Sequence, residues 1–249
     1  MELFERVSGA RMHTALYRPF SFSDYWYYRD LDKDLLFIVN RGSRFISGSF
    51  LGLLNNKSFK TRLAGIGRLS KKKALSYGLS GIIARGVGLP IDLRIAGKLS
   101  YTQLFSNLSI RSFTGIQGDC YDRFIIRAKE SLESFRVVIQ LTALIPNQKP
   151  RSSSLKKFIR MEDLIKHFKN NVAIKLGIID DLSYFVESPK GLFGCYLVNT
   201  GQLEPYRLSF RSPVAANMNL ISNFSNNITF ADFVATFCSI DVVLGEIDR

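Results

Sequence analysis

Between Asp119 and Pro146 the chain carries one unbroken pattern. Tyr121, Phe124, Ile125, Ala128, Leu132, Phe135 and Ile139 recur at three- and four-residue spacings, the period of an α-helix with one apolar face. Asp119 stands where an N-cap belongs and Pro146 is a stop. A helix over residues 121–145 with one apolar side has to bury that side against other elements. The pattern therefore demands a layered, multi-element core, and 249 residues are enough to build one.

The rest of the chain supplies those elements. Residues 1–17 read as a helix, with Leu3, Val7 and Ala10 on one side, a Glu2–Arg6 pair, and Arg18-Pro19 as its end. "DYWYYRDLDKDLLFIV" (24–39) and "MEDLIKHFK" (161–169) also read as helical. In residues 183–211, short β-prone runs are separated by Pro189-Lys190-Gly191 and Asn199-Thr200-Gly201, which predicts a hairpin or three-stranded meander. The stretch from Thr229 reads as a helix running into an apolar and then charged terminus. The fold class is α+β, helix-dominated, in a single domain over 1–249, without an internal repeat.

Two glycine-rich or basic stretches stand apart. In residues 77–94, Gly86 and Gly88 resemble the start of a dinucleotide-binding turn, but no third glycine follows at the required spacing and no preceding strand is convincing, so a dinucleotide-binding or P-loop turn is rejected. A tight loop packed close to other backbone is expected instead. Residues 149–160, "KPRSSSLKKFIR", hold five basic residues and no acid, and read as a surface loop.

Composition narrows the chemistry. The net charge is +13, which suits nucleic acid, anionic lipid or an acidic partner, and equally a solvated basic surface. Cys120, Cys195 and Cys238 form no C-x-x-C pair, and His13 and His167 are the only histidines. A zinc or iron–sulfur site carried by this chain alone is not expected. No uncharged apolar run reaches bilayer-spanning length, and no signal or transit peptide is recognisable. Cys120 paired with a distant histidine would make a thiol hydrolase; a small buried thiol fits better. Asp119, Asp122 and Arg123 are explained by capping and ion pairing. Asp241, beside an apolar run, is a candidate site residue if buried, and an ordinary solvent-facing acid otherwise.

Six motifs in order resemble one family. They are "ERVSGARMH" (5–13), "YGLSGIIARGVGLPIDLR" (77–94), "GDCYDR" (118–123), "MEDLIKHF" (161–168), "ESPKGLFGCYLV" (187–198) and "DVVLGEIDR" (241–249). Together they resemble the quinone-pocket subunit of respiratory complex I, NADH dehydrogenase subunit 7, a relative of the [NiFe]-hydrogenase large subunit. The resemblance runs from residue 2 to residue 249. It implies a hydrogenase-like helical core with a small antiparallel β-meander. In that family "ERVSGARMH" lies well inside the chain. The resemblance thus implies either a subunit split into two polypeptides or a C-terminal piece, with the usual quinone-headgroup His and Tyr on the absent part.

The implied activity is electron transfer from NADH to ubiquinone, coupled to proton translocation by the whole complex. The terminal [4Fe–4S] cluster would sit on a neighbouring subunit, and this chain would bind no cofactor alone. Arg11 and His13 match cluster-facing positions, where a histidine can couple its proton to cluster reduction. Asp241, Val242, Val243 and Leu244 match the segment lining the quinone cavity. Ser239-Ile240-Asp241 stands where hydrogenases carry paired cysteines, which excludes a nickel site. Implied partners are the other complex I subunits and a separate N-terminal piece. The implied location is the matrix-side arm at the mitochondrial inner membrane, with the chain organelle-encoded. The chain departs from the family at Arg85-Gly86-Val87-Gly88, at Leu192 after Pro189-Lys190-Gly191, and at Phe20-Ser21. Other readings are a basic organellar RNA- or ribosome-associated protein, and a structural subunit without a working pocket.

Overall fold

The computed structural model describes residues 1–13, 17–18, 21–22, 31–96, 108–144, 160–172, 179–202, 204–224 and 228–248. Contacts divide the chain into two compact units. One comprises Met1–Arg44 with Val138–Ile174, the other Phe45–Val137 with Lys175–Arg249.

In the first unit, α1 (Glu2–Ser8) is shorter than the sequence suggests. Gly9, at φ 78°, closes it in the left-handed conformation and donates its N–H to the Glu5 carbonyl. A left-handed glycine is a common helix terminator, and here it overrides the apolar spacing that extends to Ala10. Tyr17–Arg18 (β1) and Ser21–Phe22 (β2) pair as a two-stranded ribbon, so Arg18 sits in a strand rather than at a helix end. Helix α2 (Leu31–Leu54) begins within the expected 24–39 stretch and continues well past it; residues 23–30 lie outside the described ones. Arg6 pairs with Glu2 and, at 2.8 Å, with Asp34. Among the described residues of this unit Val39 is buried, whereas Phe37 and Ile38 are exposed.

The second unit holds the main core. Leu69, Ala74, Leu79, Ile83, Val87, Leu220, Phe224 and Ile240 form one buried cluster, with Tyr77, Leu89, Ile221 and Val242 packed against it. The residues come from α4 (Lys71–Ser76), α5 (Gly81–Gly86), α10 (Ile221–Phe224), α11 (Phe230–Ile240) and the turns beside them. In chain order the remaining helices are α3 (Lys57–Leu63), α6 (Leu93–Ala96), α7 (Cys120–Leu144), α8 (Met161–Val172, in the first unit), α9 (Pro213–Met218) and α12 (Leu244–Asp248).

The expected meander is β3 (Ile179–Ser188), β4 (Gly191–Asn199) and β5 (Arg207–Arg211), antiparallel and in sequence order. Ser188 faces Gly191 across the two-residue Pro189-Lys190 turn. The 77–94 stretch is corrected: it is built around α5, all six residues of which are buried. Its closeness to other backbone holds. A Cβ on Gly81 would lie 2.5 Å from the Gly191 Cα, and Gly81 has φ 67°, so neither space nor conformation admits a side chain. Residues 149–159 of the basic loop lie outside the described residues. No described helix is long and apolar enough to cross a membrane. Among the described residues the architecture is helix-dominated α+β, with a three-stranded antiparallel sheet and a two-stranded ribbon.

Candidate functional site

Helix α7 organises the second unit, but not by its expected apolar face. Its buried residues are Cys120, Arg123, Ile126 and Glu133, while Ile139 is exposed. Asp119 caps the helix as predicted: its Oδ1 accepts the Asp122 N–H at 2.8 Å, and its Oδ2 accepts from Gly65. Asp122 Oδ2 in turn accepts from the N–H groups of Ile116, Gln117 and Gly118. These two carboxylates fold the loop back onto the helix start, a structural role.

The buried seam of α7 meets α11. Cys120 Sγ lies 3.9 Å from Thr236 Oγ1 and 3.5 Å from Ser239 Oγ. Arg123 donates to the Gly67 carbonyl and to Cys120 Sγ, and its guanidinium lies 5.9 Å from the Phe224 ring centroid. The Cys120 thiol is thus a buried packing group beside two hydroxyls and a guanidinium, with no imidazole among these partners. One turn further on, Arg127 Nη2 donates to the Ser239 carbonyl at 2.6 Å.

Beside this seam lies a cleft of about 350 Å³ lined by Arg85, Arg94, Arg127, Glu130, Glu187 and Asp241, among others. Arg85 is almost fully buried and over-determined. Its Nε and Nη2 donate to Glu130 at 2.6 and 3.2 Å, and its Nη1 donates to Glu187 at 2.9 Å and to the Ile91 carbonyl at 3.1 Å. Asp92, equally buried, is held by Arg94 through contacts of 2.9 and 2.7 Å. Burial works against charge on both Arg85 and Asp92, and the opposite charges overcome it. The Arg85 guanidinium is raised above its ordinary pKa and the Asp92 carboxyl is lowered below its own. For Arg127 burial dominates and lowers its pKa, opposed chiefly by the charge of Asp241.

The four C-terminal candidates have different surroundings. Asp241 is exposed and lines the cleft, so the buried-acid expectation is corrected. It caps α11 at φ 60°, the single non-glycine positive φ among the described residues. Val242 packs on the core cluster. Val243 and Leu244 are exposed, Leu244 at 72%. The segment is tied down at both ends, by Arg127 on Ser239 and by Lys190 on Glu246 at 3.4 Å. In the first unit, Arg11 is exposed and paired with Glu5 at 2.8 Å, and His13 is exposed. Cys120 is buried, Cys195 half-buried and Cys238 exposed. Among the described residues no group of three or more His, Cys, Asp or Glu is placed to hold a metal ion.

Sequence reasoning missed Arg127, Glu130 and Glu187. The available signal was spacing: Cys120, Arg123, Arg127 and Glu130 recur at three- and four-residue steps, a helical face of polar residues parallel to the apolar one.

The profile of the family "Respiratory-chain NADH dehydrogenase, 49 Kd subunit" matches residues 1–249. The chain belongs to this family. It is 37% identical over 255 residues to the NADH-ubiquinone oxidoreductase 49 kDa subunit of Nyctotherus ovalis, covering 100% of this chain and 62% of the relative. Against the protein of that name from Paramecium tetraurelia it is 38% identical over 268 residues, covering 100% and 66%. Against the 49 kDa subunit of Reclinomonas americana it is 35% identical over 260 residues, covering 100% and 64%. The chain thus spans a little under two thirds of the length of these relatives.

Proposed function

We propose that this chain works as part of NADH:ubiquinone oxidoreductase, where residues 241–244 form one wall of the quinone-reduction site. The observation that carries the reading is the family match over the whole chain. The terminal [4Fe–4S] cluster would belong to a neighbouring subunit, with Arg11 and His13 turned towards it. The other complex I subunits, and the part of the subunit this chain does not span, would be its partners. The relatives from ciliates and an alga support a mitochondrial complex, and the reading implies its matrix-side arm.

The residues present suit a quinone at its two ends. A quinone presents two carbonyl acceptors on an apolar ring and tail, and its reduction takes up two electrons and two protons. Val243 and Leu244, two and three residues beyond the cleft-lining Asp241, offer exposed apolar surface, as a wall completed by another chain would. Asp241 supplies an acceptor that can orient a hydroxyl. The polar cleft belongs to the headgroup end, since its charged lining is unsuited to an isoprenoid tail.

In assembled complex, Val243→Met should raise the half-effect concentration of a quinone-site inhibitor per unit of complex while assembly persists. Val243 is exposed, so added bulk does not overpack a core, which would cost about 1–3 kcal/mol. Asp241→Ala should act in the same direction. Lower complex content with unchanged inhibition per complex, in both variants, would refute the reading.

A further inference from the structure

We infer that Arg127 is a positioning residue for this site, fixing the 239–244 segment so that Asp241 stands at the cleft; the inference rests on the quinone-site reading above. The last carbonyls of any helix lack partners within it. At the end of α11, Asp241 donates its N–H to the Cys238 carbonyl at 3.2 Å, and Ser239 is left to find a donor elsewhere. Arg127 provides it at 2.6 Å. The bond is charge-assisted, and it sets a cation against the negative end of the helix.

Three further observations make this contact more than a cap. First, Ser239 is held a second time from the same helix face, because Cys120 Sγ approaches its hydroxyl at 3.5 Å. Residues 120 and 127 of α7 are two turns apart, so together they fix both the register and the rotation of the end of α11. Second, the very next turn places Asp241 at φ 60°. An L-residue enters that conformation at a cost, and the preceding carbonyl has to be fixed for the turn to begin at Asp241 and nowhere else. Third, Arg127 and Asp241 line the same cleft, so the side chain that pins the backbone also faces the carboxylate that the pin delivers. Glu130, Arg127's neighbour in the cleft, is engaged by Arg85. Arg127 therefore gives its hydrogen bond to the C-terminal segment, while Glu130 takes its hydrogen bonds from Arg85.

The test uses assembled complex carrying Arg127→Gln, Arg127→Lys, Asp241→Asn and the double variant Arg127→Gln/Asp241→Asn. The probes are decylubiquinone as substrate and rotenone as inhibitor, with NADH oxidation by ferricyanide as a readout that does not use the quinone site. Arg127→Gln is too short to reach Ser239. It should raise the decylubiquinone KM and the rotenone half-effect concentration about tenfold, the scale of a small misplacement, with the ferricyanide rate per complex unchanged. Lysine keeps the charge and one donor but lacks the planar fork, and should recover only part of the loss, leaving a clear shift from wild type. The double variant should be no worse than its more affected parent, because both changes act through one segment.

Wild-type KM and inhibition in Arg127→Gln, with Asp241→Asn altered, would overturn this inference while leaving the quinone-site reading standing. Wild-type values in Asp241→Asn and Val243→Met would remove that reading itself. If Arg127→Gln fails to assemble, Arg127→Lys decides. A modest shift in KM and inhibition supports the inference, and wild-type values there make Arg127 purely structural and overturn it.

Discussion

Two segments of this chain resemble site positions of the same family, and the structure treats them in opposite ways. Residues 239–246 are anchored from two directions, by Arg127 and by Lys190, and their backbone is held in one uncommon conformation at Asp241. Arg11, Met12 and His13 follow a short helix closed by Gly9 and are exposed, with one surface ion pair between Arg11 and Glu5. The C-terminal segment is therefore held by this chain's own core. The Arg11–His13 stretch depends on whatever covers it. Motif strength does not distinguish them, since "GARMH" and "DVVLGEIDR" are equally legible; the difference lies in buried charge and helix-end chemistry.

The comparison breaks most sharply at the buried network that supports the anchored side. Arg85→Ala removes the buried guanidinium that Glu130 and Glu187 share, and a broken buried pair costs about 3–5 kcal/mol. Complex content and its thermal midpoint should fall steeply. Arg11→Ala removes an exposed pair worth about 0–1 kcal/mol, and content should be unchanged. Equal losses in the two variants would erase the contrast.

Gly81→Ala should rank next. It forces a Cβ onto the Gly191 backbone at a positive φ, which destabilises by more than the roughly 0.4–1 kcal/mol that a compatible Gly→Ala change gains. Complex content again measures it, and tolerance of alanine would mean that α5 and the β3–β4 turn sit further apart.

A third variant pair sharpens the role of Asp241. Asp241→Gly keeps the left-handed turn and discards the carboxylate, whereas Asp241→Ala discards both. If the carboxylate orients the headgroup, both should shift inhibitor response. If only the turn matters, glycine should behave as wild type and alanine should not.

The smallest effect is on pH. Asp92 is held below the ordinary carboxylate pKa because Arg94 and Arg85 outweigh its burial. Its stabilising contribution is fully present above the unfolded value of about 3.9 and is lost as pH falls through the lower folded value. Acid titration of thermal stability should therefore steepen below about pH 4, and Asp92→Asn should flatten that limb. On the exposed side, the proposal that His13 faces a cluster on a neighbouring subunit predicts that His13→Ala leaves quinone reduction working and shifts that cluster's midpoint potential. An unchanged potential in redox titration would detach His13 from the cluster.

Much of the fold was legible because local signals agreed. Asp119 caps α7, Pro189-Lys190 turns the hairpin, and Ser188 meets Gly191 as the turn length requires. Three features were not legible. The apolar spacing of 1–17 pointed past Gly9, and periodicity carries no information about a left-handed stop. Binary patterning assigned the apolar face of α7 to the core, yet its deepest residues include Arg123 and Glu133. Charged side chains can occupy such positions when partners face them: Glu133 is held by Arg136 one turn on, and Arg123 reaches the Gly67 carbonyl, which is distant in sequence. The exposure of Asp241 was likewise hidden, because its apolar neighbours divide: Val242 packs inward while Val243 and Leu244 face out.

The central claim is that residues 241–244 border the quinone, and photolabelling tests it most directly. A photoreactive ubiquinone analogue would be irradiated in the intact complex, with and without excess decylubiquinone, and the labelled peptides of this chain mapped. The account predicts label within the peptide spanning residues 239–248, lost when decylubiquinone competes. Competable label elsewhere in the complex, with this peptide unmarked, would contradict it.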